Sequence, residues 1–171
     1  IGFDDKGEAT IIEAKITVLA SGGSGQVFGV TSNPFVSTGD GVAMAIRANV
    51  ALKNMKYIQF HPTALYEPNK SQAFLITEAI RGFGAHILNQ KGERFLLKAH
   101  KSGELATRDV VSKAISEQMK IENSKNVWLD LRHLPLEDFK NKFPKVYDYC
   151  TEEGFDSTKD LLPITPASPY Q

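Results

Sequence analysis

Three short segments carry side chains that can bind a small acid and move protons. In chain order they are Gln59-Phe60-His61-Pro62-Thr63, Thr77-Glu78-Ala79-Ile80-Arg81-Gly82 and Glu104-Leu105-Ala106-Thr107-Arg108-Asp109. Guanidinium and imidazole groups bind carboxylates, and a carboxylate beside them can pass protons. The segments therefore predict a site that grips a small dicarboxylate and transfers protons next to it.

Arg108 falls in the first turn of a predicted helix. A cation there opposes the helix dipole, which favours an anion at that end. Its planar fork of donors matches a carboxylate, so a bound anionic ligand is one interpretation. The alternative is a surface ion pair with Asp109 or Glu104, which is common and weak.

Glu78 and Arg81 are three residues apart, so on a helix they share a face and can form a charged pair. Such a pair can pass protons when a third group adjoins it, and the Thr77 hydroxyl beside it can donate to a substrate oxygen. These residues are equally consistent with a solvated helix start.

His61 precedes Pro62, which favours extended backbone at the histidine. A fixed imidazole can donate to a carboxylate or titrate near neutrality, and a hydrogen-bonded core histidine is the alternative. The other histidines, His86, His100 and His133, lack the spacing of a zinc site. We predict no metal site.

Several elements must position these side chains. Residues 10–20 alternate and then become continuously apolar, which predicts a strand buried on both faces. The glycine-rich turn at residues 21–25 lets backbone approach a ligand, and a helix is predicted over 41–51, capped by Thr38 or Asp40. Strand, glycine loop and helix are typical of a nucleotide-binding sheet, although the glycines do not complete the dinucleotide fingerprint.

From about residue 57 the pattern changes to mixed α and β. Residues 85–96 predict a hairpin around the turn 89–92, and 107–121 carry a helical apolar stripe. A strand is predicted over 127–131, and Pro144 opens a last helix that Gly154 closes.

Composition narrows the function classes. The 171 residues, 42% of them hydrophobic, can bury one core and a small second one. Twenty basic residues balance twenty acidic ones, so we expect neither nucleic acid nor an anionic membrane surface as a partner. No apolar run approaches the roughly 18 residues of a membrane span. We expect a soluble, cytoplasmic protein in which Cys150, the single cysteine, is a buried and inert thiol.

In this order, the motifs resemble the flavoprotein family that contains L-aspartate oxidase and the flavoprotein subunits of fumarate reductase and succinate dehydrogenase. The segments that carry the resemblance are Ala20-Ser21-Gly22-Gly23, Thr38-Gly39-Asp40-Gly41, His61-Pro62-Thr63, Thr77-Glu78-x-x-Arg81-Gly82 and Arg108-Asp109-x-x-Ser112. The likeness covers nearly the whole chain. It implies an α+β capping domain with a remnant of an α/β, Rossmann-like FAD-binding domain.

The resemblance also implies a division of the chain and a cofactor. Residues 1–56 would end the first FAD-binding segment, 57–160 would form the substrate-capping domain, and 161–171 would return toward the FAD domain. FAD would contact Asp40 and the loop at Gly22 and Gly23. We expect a central fragment of a longer protein that by itself holds no flavin and is inactive.

The short spacing between Gly92-Glu93-Arg94-Phe95 and Arg108 is similar to that of the L-aspartate oxidases, whereas the respiratory enzymes usually carry a longer insertion there. This likeness implies oxidation of L-aspartate to iminoaspartate by hydride transfer to FAD. Oxygen or fumarate would reoxidise the flavin. The reaction would be the first step of NAD biosynthesis, with quinolinate synthase as a partner.

For the site, the resemblance implies that His61 and Thr77 hold the substrate carboxylate. Arg108 would be the proton-transfer residue at the reacting carbon, and Glu78 and Arg81 would form the relay behind it. A guanidinium with a pKa above about 12 is a poor general base. A role as an acid toward fumarate, or as an electrostatic clamp on aspartate, is more consistent with its chemistry.

Two positions depart from the family pattern, which usually has Glu at Phe83 and a substrate-binding His at Pro169. Proline cannot donate a hydrogen bond. Either the second substrate carboxylate binds another partner, or the end of the chain is altered by truncation. Two alternative functions follow: a fumarate reductase or succinate dehydrogenase flavoprotein subunit, and an inert structural module.

Overall fold

A four-stranded antiparallel sheet organises the chain in the computed structural model, which describes the backbone of residues 2–170 and side chains through Ser168. The strand order is β3-β6-β5-β4. The bounds are β3 Gln59–Leu65, β4 His86–Leu88, β5 Val127–Asp130 and β6 Leu162–Tyr170. Two short strands, β1 Gly2–Phe3 and β2 Ala9–Thr10, pair with each other apart from this sheet.

Helices cover the sheet and connect its strands. They are α1 Asp40–Arg47, α2 Glu78–Gly82, α3 Leu96–Ala99, α4 Arg108–Glu122, α5 Leu136–Lys142 and α6 Pro144–Glu152. Short 3-10 turns lie at Gly25–Val27 and Gly103–Leu105. The helix predicted over 107–121 is confirmed by α4, which ends where Asn123 adopts a left-handed φ of 50°. The predicted strand at 127–131 and the helix opened by Pro144 are also confirmed, as β5 and α6.

The core lies between the sheet and these helices. Ile164 of β6, Leu129 of β5 and Ile115 of α4 are fully buried, as is Ile80 of α2. Burying one such side chain stabilises the fold by about 1.5–3 kcal/mol. Cys150 also belongs to this core, and burial raises the pKa of its thiol to about 12, as an inert cysteine requires.

The strand β6 was not predicted as part of this sheet. Pro163 and Pro166 lie within it, and proline removes a ladder donor, which argues against an interior strand. In the structure β6 lies between β5 and β3 and meets both at Ile164, which pairs with Val127 and with Leu65. The division of the chain at residues 56 and 160 stays a prediction.

The strand β3 also contains a proline, and it lies at the sheet edge, where a missing N–H is tolerated. Its register with β6 shifts on both sides of His61, between Gln59 and His61 and again between His61 and Ala64. Such irregularities redirect side chains next to active sites. This edge therefore presents His61 out of the regular strand pattern.

The second arm of the predicted hairpin is absent. The turn forms, with the Asn89 N–H donating to the Glu93 carbonyl at 3.0 Å. Beyond it, Phe95 and Leu96 enter the core at the start of α3 instead of pairing with β4. The partner of β4 is β5, because that pairing extends the main sheet.

The predicted strand over residues 10–20 is wrong in this structure. Apart from Thr10, these residues form no strand, and Ile16 and Val18 are more than four-fifths exposed. A strand buried on both faces needs neighbouring strands, and the described residues supply none beside it. The helix predicted over 41–51 is shorter, Asp40–Arg47, and its N-cap is Gly39, not Thr38 or Asp40.

The expected mixture of helices and sheet is present. In the described part of the chain, no helix combines the length and the apolar character of a membrane span. That part also contains no cluster of His, Cys, Asp and Glu suited to a metal ion.

Candidate functional site

A chain of charged side chains runs from the surface into the core. Arg108 donates through Nε to Glu78 Oε2 at 2.6 Å, and Arg81 Nη2 lies 3.3 Å from Glu78 Oε1. The hydrogen bond from Arg108, together with the charge of both arginines, lowers the pKa of the Glu78 carboxyl. The surface ion pair of Arg108 with Asp109 or Glu104, which was the alternative interpretation, does not form among the described contacts.

The folding of α2 and α4 explains this contact. Glu78 lies in the first turn of α2, where a carboxylate is favoured, and Arg108 lies in the first turn of α4, where a cation is disfavoured. The carboxylate of one helix start therefore compensates the misplaced cation of the other. Arg108 is anchored a second time, because its Nη1 donates to Gln59 Oε1 at 3.0 Å.

Arg81 is the buried end of the chain, with 2% of its surface exposed. Its Nη1 donates to the backbone carbonyls of Glu104 at 2.5 Å and Ala106 at 3.5 Å. Burial lowers the pKa of the Arg81 guanidinium, while Glu78 opposes that shift. Nε and Nη2 have no hydrogen-bond partner among the described atoms. The two carbonyls therefore fix the orientation of Arg81.

Glu104, one of the alternative partners considered for Arg108, pairs with Arg94 instead. Arg94 donates from Nε at 3.0 Å and from Nη2 at 2.8 Å to the two carboxylate oxygens, and the Ile87 N–H adds a third bond at 3.2 Å. Burial by itself would raise the pKa of the Glu104 carboxyl, but these donors outweigh it and lower the pKa. Glu104 is thus a buried carboxylate held in its charged form.

His61 is buried, and its Nδ1 accepts a hydrogen bond from the Thr63 N–H at 3.3 Å. That bond leaves the proton of the neutral ring on Nε2, which is a donor. Burial first, then the charges of Arg108 and Arg81, lowers the His61 pKa from 6.5 to about 4. Titration near neutrality, one of the two expectations, is therefore wrong, whereas donation by a neutral imidazole is consistent with this geometry.

A cleft of about 710 Å³ adjoins Arg108. Gln59, Glu78 and Ser112 also line it, and the Ser112 hydroxyl donates to the Phe60 carbonyl at 2.9 Å. His61 and Thr77 are not among its lining residues. Thr77 begins α2, and its hydroxyl oxygen accepts from the Ala79 N–H at 3.4 Å, which leaves the hydroxyl proton for donation.

The candidate FAD contacts are Gly22 and Gly23 on the glycine loop and Asp40, the first residue of α1. The Gly39 N–H donates to the Gly23 carbonyl at 3.1 Å, which brings the glycine loop against the start of the helix that carries Asp40. At Gly22 and Gly23 no atom lies within 4 Å of the position of a Cβ, and Gly22 has a φ of +80°. This open backbone fits close approach of a cofactor.

Sequence reasoning missed two features of the site. Gln59 stood in the first motif without an assigned role, although its amide reaches Arg108. In the sequence Arg94 only marks the spacing to Arg108, and its pairing with Glu104 depends on α3, which lies between the two residues. Local periodicity does not report such a contact.

Comparisons with known proteins agree with this architecture. The family described as "FAD binding domain" matches residues 2–171. An L-aspartate oxidase of Nostoc is 44% identical over 169 residues, 96% of this chain and 29% of the relative. One of Pseudomonas aeruginosa is 45% identical over 166 residues, 97% of this chain and 31% of the relative. The chain thus spans about 30% of the length of these two curated relatives.

Solved structures give the same picture. A structure described as quinol-fumarate reductase with menaquinol molecules has a TM-score of 0.77 and 31% identity, over 89% of this chain and 29% of that one. Mycobacterium smegmatis Sdh1 in complex with UQ1 has a TM-score of 0.72 and 37% identity, over 88% of this chain and 26% of that one. Since the family match spans all the described residues, the chain belongs to the FAD binding domain family of flavoproteins.

Proposed function

We propose that this chain is the central part of an FAD-dependent L-aspartate oxidase, and that the whole protein converts L-aspartate to iminoaspartate. One structural observation carries the proposal: the continuous contact from Arg108 through Glu78 to Arg81, at the edge of a cleft and beside a neutral, buried histidine. Identity of 44–45% to proteins named L-aspartate oxidase supports the choice of substrate.

In this proposal His61 donates from Nε2 to a substrate carboxylate and Thr77 donates from its hydroxyl. The positively charged guanidinium of Arg108 lies beside the reacting carbon. Because a guanidinium does not give up its proton easily, Arg108 serves as a cationic clamp while aspartate loses hydride, and as a proton donor when fumarate is reduced. When fumarate is reduced, Arg108 regains the proton that it donates from solvent, through Glu78 and Arg81 along the observed ion pairs. When aspartate is oxidised, the proton lost from the substrate ammonium leaves to solvent.

Gly22, Gly23 and Asp40 would hold part of FAD. When bound, FAD accepts the hydride that the substrate loses. The open backbone at the two glycines supports this assignment. We infer further that residues 57–160 are the substrate-capping domain, because the site residues from His61 to Arg108 all lie in it, and that residues 1–56 belong to the FAD-binding segment.

The proposed physiological setting is NAD biosynthesis, with oxygen or fumarate as the electron acceptor and quinolinate synthase as a downstream partner. A cytoplasmic location is part of the same proposal, although one relative is the chloroplastic L-aspartate oxidase of Arabidopsis thaliana.

A fumarate reductase or succinate dehydrogenase flavoprotein is the second candidate. It is favoured by the likeness to the quinol-fumarate reductase structure, with a TM-score of 0.77. Arg108 and His61 would then bind a dicarboxylate that has no amino group. Sequence identity to that structure is 31%, lower than the 44% to the Nostoc oxidase.

The test compares L-aspartate and succinate as electron donors for the purified whole protein. We expect peroxide in air, or fumarate reduction without air, with L-aspartate, and a much lower rate with succinate. If the flavin-loaded protein produces neither peroxide nor fumarate reduction with L-aspartate, the proposal is wrong. A preference for succinate would favour the second candidate.

An Arg108→Gln variant tests the residue assignment. We expect kcat with L-aspartate to fall by about 10²–10³-fold, the range for losing a group that stabilises the transition state by its charge. Lys113→Gln is the matched control, because Lys113 lines the same cleft but its only described ion pair, 4.0 Å to Glu117, is exposed. Equal effects of the two substitutions would contradict the role of Arg108.

A further inference from the structure

The ion pair between Arg94 and Glu104 lies behind the relay and contacts neither the cleft nor Arg108 directly. Its fork geometry, with contacts of 3.0 and 2.8 Å, is bidentate, and the Glu104 side chain is 5% exposed. A bidentate contact fixes orientation as well as distance. Together with the Ile87 N–H it holds Glu104 at one place against β4.

The backbone around Glu104 is what Arg81 binds. All the hydrogen bonds that the Arg81 side chain makes among the described residues go to the carbonyls of Glu104 and Ala106. Glu78 touches Arg81 only through the 3.3 Å ion pair, which lacks hydrogen-bond geometry. A displacement of residues 104–106 would therefore move the Arg81 guanidinium.

The same segment leads into the other arginine of the relay. Residues 103–105 form a 3-10 turn, and α4 begins at Arg108. In the first turn of α4, the Val111 N–H donates to the Thr107 carbonyl at 3.0 Å. The anchor at Glu104 therefore fixes the backbone on which Arg108 is carried, four residues further on.

We propose that the Arg94–Glu104 ion pair positions the proton relay, by fixing the carbonyls that orient Arg81 and the backbone that leads to Arg108. The inference rests on the relay role proposed above for Arg81, Glu78 and Arg108. Arg94 and Glu104 touch no reacting atom in it. They act through the two arginines.

An ion pair between buried Glu104 and exposed Arg94 is by itself weak grounds for a role in stability, since exposed pairs contribute little and replacement of buried pairs by apolar residues is often neutral. Positioning of Glu104 requires the bidentate geometry of Arg94 and not only its charge. Lysine keeps the charge of Arg94 but offers a point contact in place of the fork. The Arg94→Lys substitution therefore separates charge from geometry.

The experiment uses the whole, flavin-loaded protein with the substitutions Arg94→Gln and Arg94→Lys. The control is Arg132→Gln, because Arg132 makes a similar bidentate pair with Asp130, at 2.9 Å for both contacts, that does not lead to Arg81. We expect kcat per flavin to fall by about 10- to 100-fold in Arg94→Gln, the size of effect of a displaced catalytic group. We expect a smaller fall in Arg94→Lys, KM within about threefold in both, and no change in Arg132→Gln.

A second readout does not need turnover. The His61 imidazole has its pKa lowered partly by Arg81, so withdrawal of Arg81 in Arg94→Gln should raise that pKa. The pKa is followed by NMR titration of the His61 ring proton, assigned through its loss in His61→Gln. An unchanged His61 pKa, or a kcat per flavin that stays within about threefold of wild type, would overturn the inference.

The outcomes separate this inference from the proposed substrate. If wild type oxidises succinate and not L-aspartate, the substrate proposal fails, and the same kcat comparison is made with succinate. If Arg94→Gln does not fold, Arg94→Lys decides. If activity falls only in proportion to bound flavin, or equally in Arg132→Gln, the pair is merely structural and the inference is wrong.

Discussion

At the scale of single residues, the structure changes what His61 can do. The sequence indicated either a hydrogen-bond donor or a group that titrates near neutrality. Burial and two guanidinium groups hold its pKa at about 4, so the ring is neutral at physiological pH and donates from Nε2. In the sequence, Pro62 predicts the extended backbone at His61. The two arginines that lower its pKa, Arg81 and Arg108, lie on the separate helices α2 and α4. No local pattern reports that proximity.

The lowered pKa of His61 predicts a dependence of stability on pH. Between pH 6.5 and about 4 the unfolded chain binds a proton at His61 and the folded chain does not. The free energy of unfolding therefore falls as the pH falls through this window, by up to about 3 kcal/mol from this residue. Thermal unfolding of wild type and His61→Gln across the window measures it.

We expect the His61→Gln variant to lose less stability than wild type on acidification. His100→Gln is the control, because Nδ1 of half-buried His100 accepts from the Ser102 N–H at 3.1 Å in the same local geometry. If acidification destabilises wild type and His61→Gln equally, His61 does not contribute to the pH dependence of the free energy of unfolding.

At the scale of elements, helices were easier to predict than the sheet. The sequence predicts α4 because Val111, Ala114 and Ile115 recur at helical spacing on one face. All three are buried in the structure. The strand β6 carries prolines that argue against a strand, and only its long-range pairing with β3 and β5 overrides them. Pairing partners distant in sequence decide strands, which explains the failures at residues 10–20 and 93–96.

The attachment of the segment 24–33 to the end of β6 gives an element-scale prediction. Thr31 Oγ1 donates to the Ser168 carbonyl at 2.5 Å, and Asn33 Nδ2 donates to the same carbonyl at 3.0 Å. A Cβ at Gly25 would collide with Asn33 and lie 2.8 Å from Thr31 Oγ1. We expect Gly25→Ala to lower the free energy of unfolding by about 1–3 kcal/mol through this overpacking.

Gly29→Ala is the matched control, since no atom lies within 4 Å of its added Cβ. We expect it to change stability by less than about 0.5 kcal/mol. Thermal unfolding of the two variants measures the difference. Equal destabilisation would mean that glycine flexibility, and not the contact with Asn33 and Thr31, matters at Gly25.

At the scale of the whole molecule, the two parts of the chain differ in how far they bury their apolar side chains. Residues from β3 to β6 enclose the core, whereas Ile11, Ile16 and Val18 lie 74%, 84% and 83% exposed. Several large apolar side chains exposed within one short segment favour a contact with another part of the protein. In the proposed oxidase that surface would pack against other parts of the FAD-binding domain.

This difference predicts how the 171-residue chain behaves when it is produced alone. The candidate FAD contacts Gly22 and Asp40 are exposed, and most of the segment before them has no regular structure. Binding would have to order this segment, and that cost opposes affinity. After incubation with FAD and removal of excess cofactor, we expect the chain to show no flavin absorption band, and the whole protein, treated identically, to show one. A yellow chain would mean that residues 2–56 already form a competent site, and that their exposed apolar side chains serve another contact.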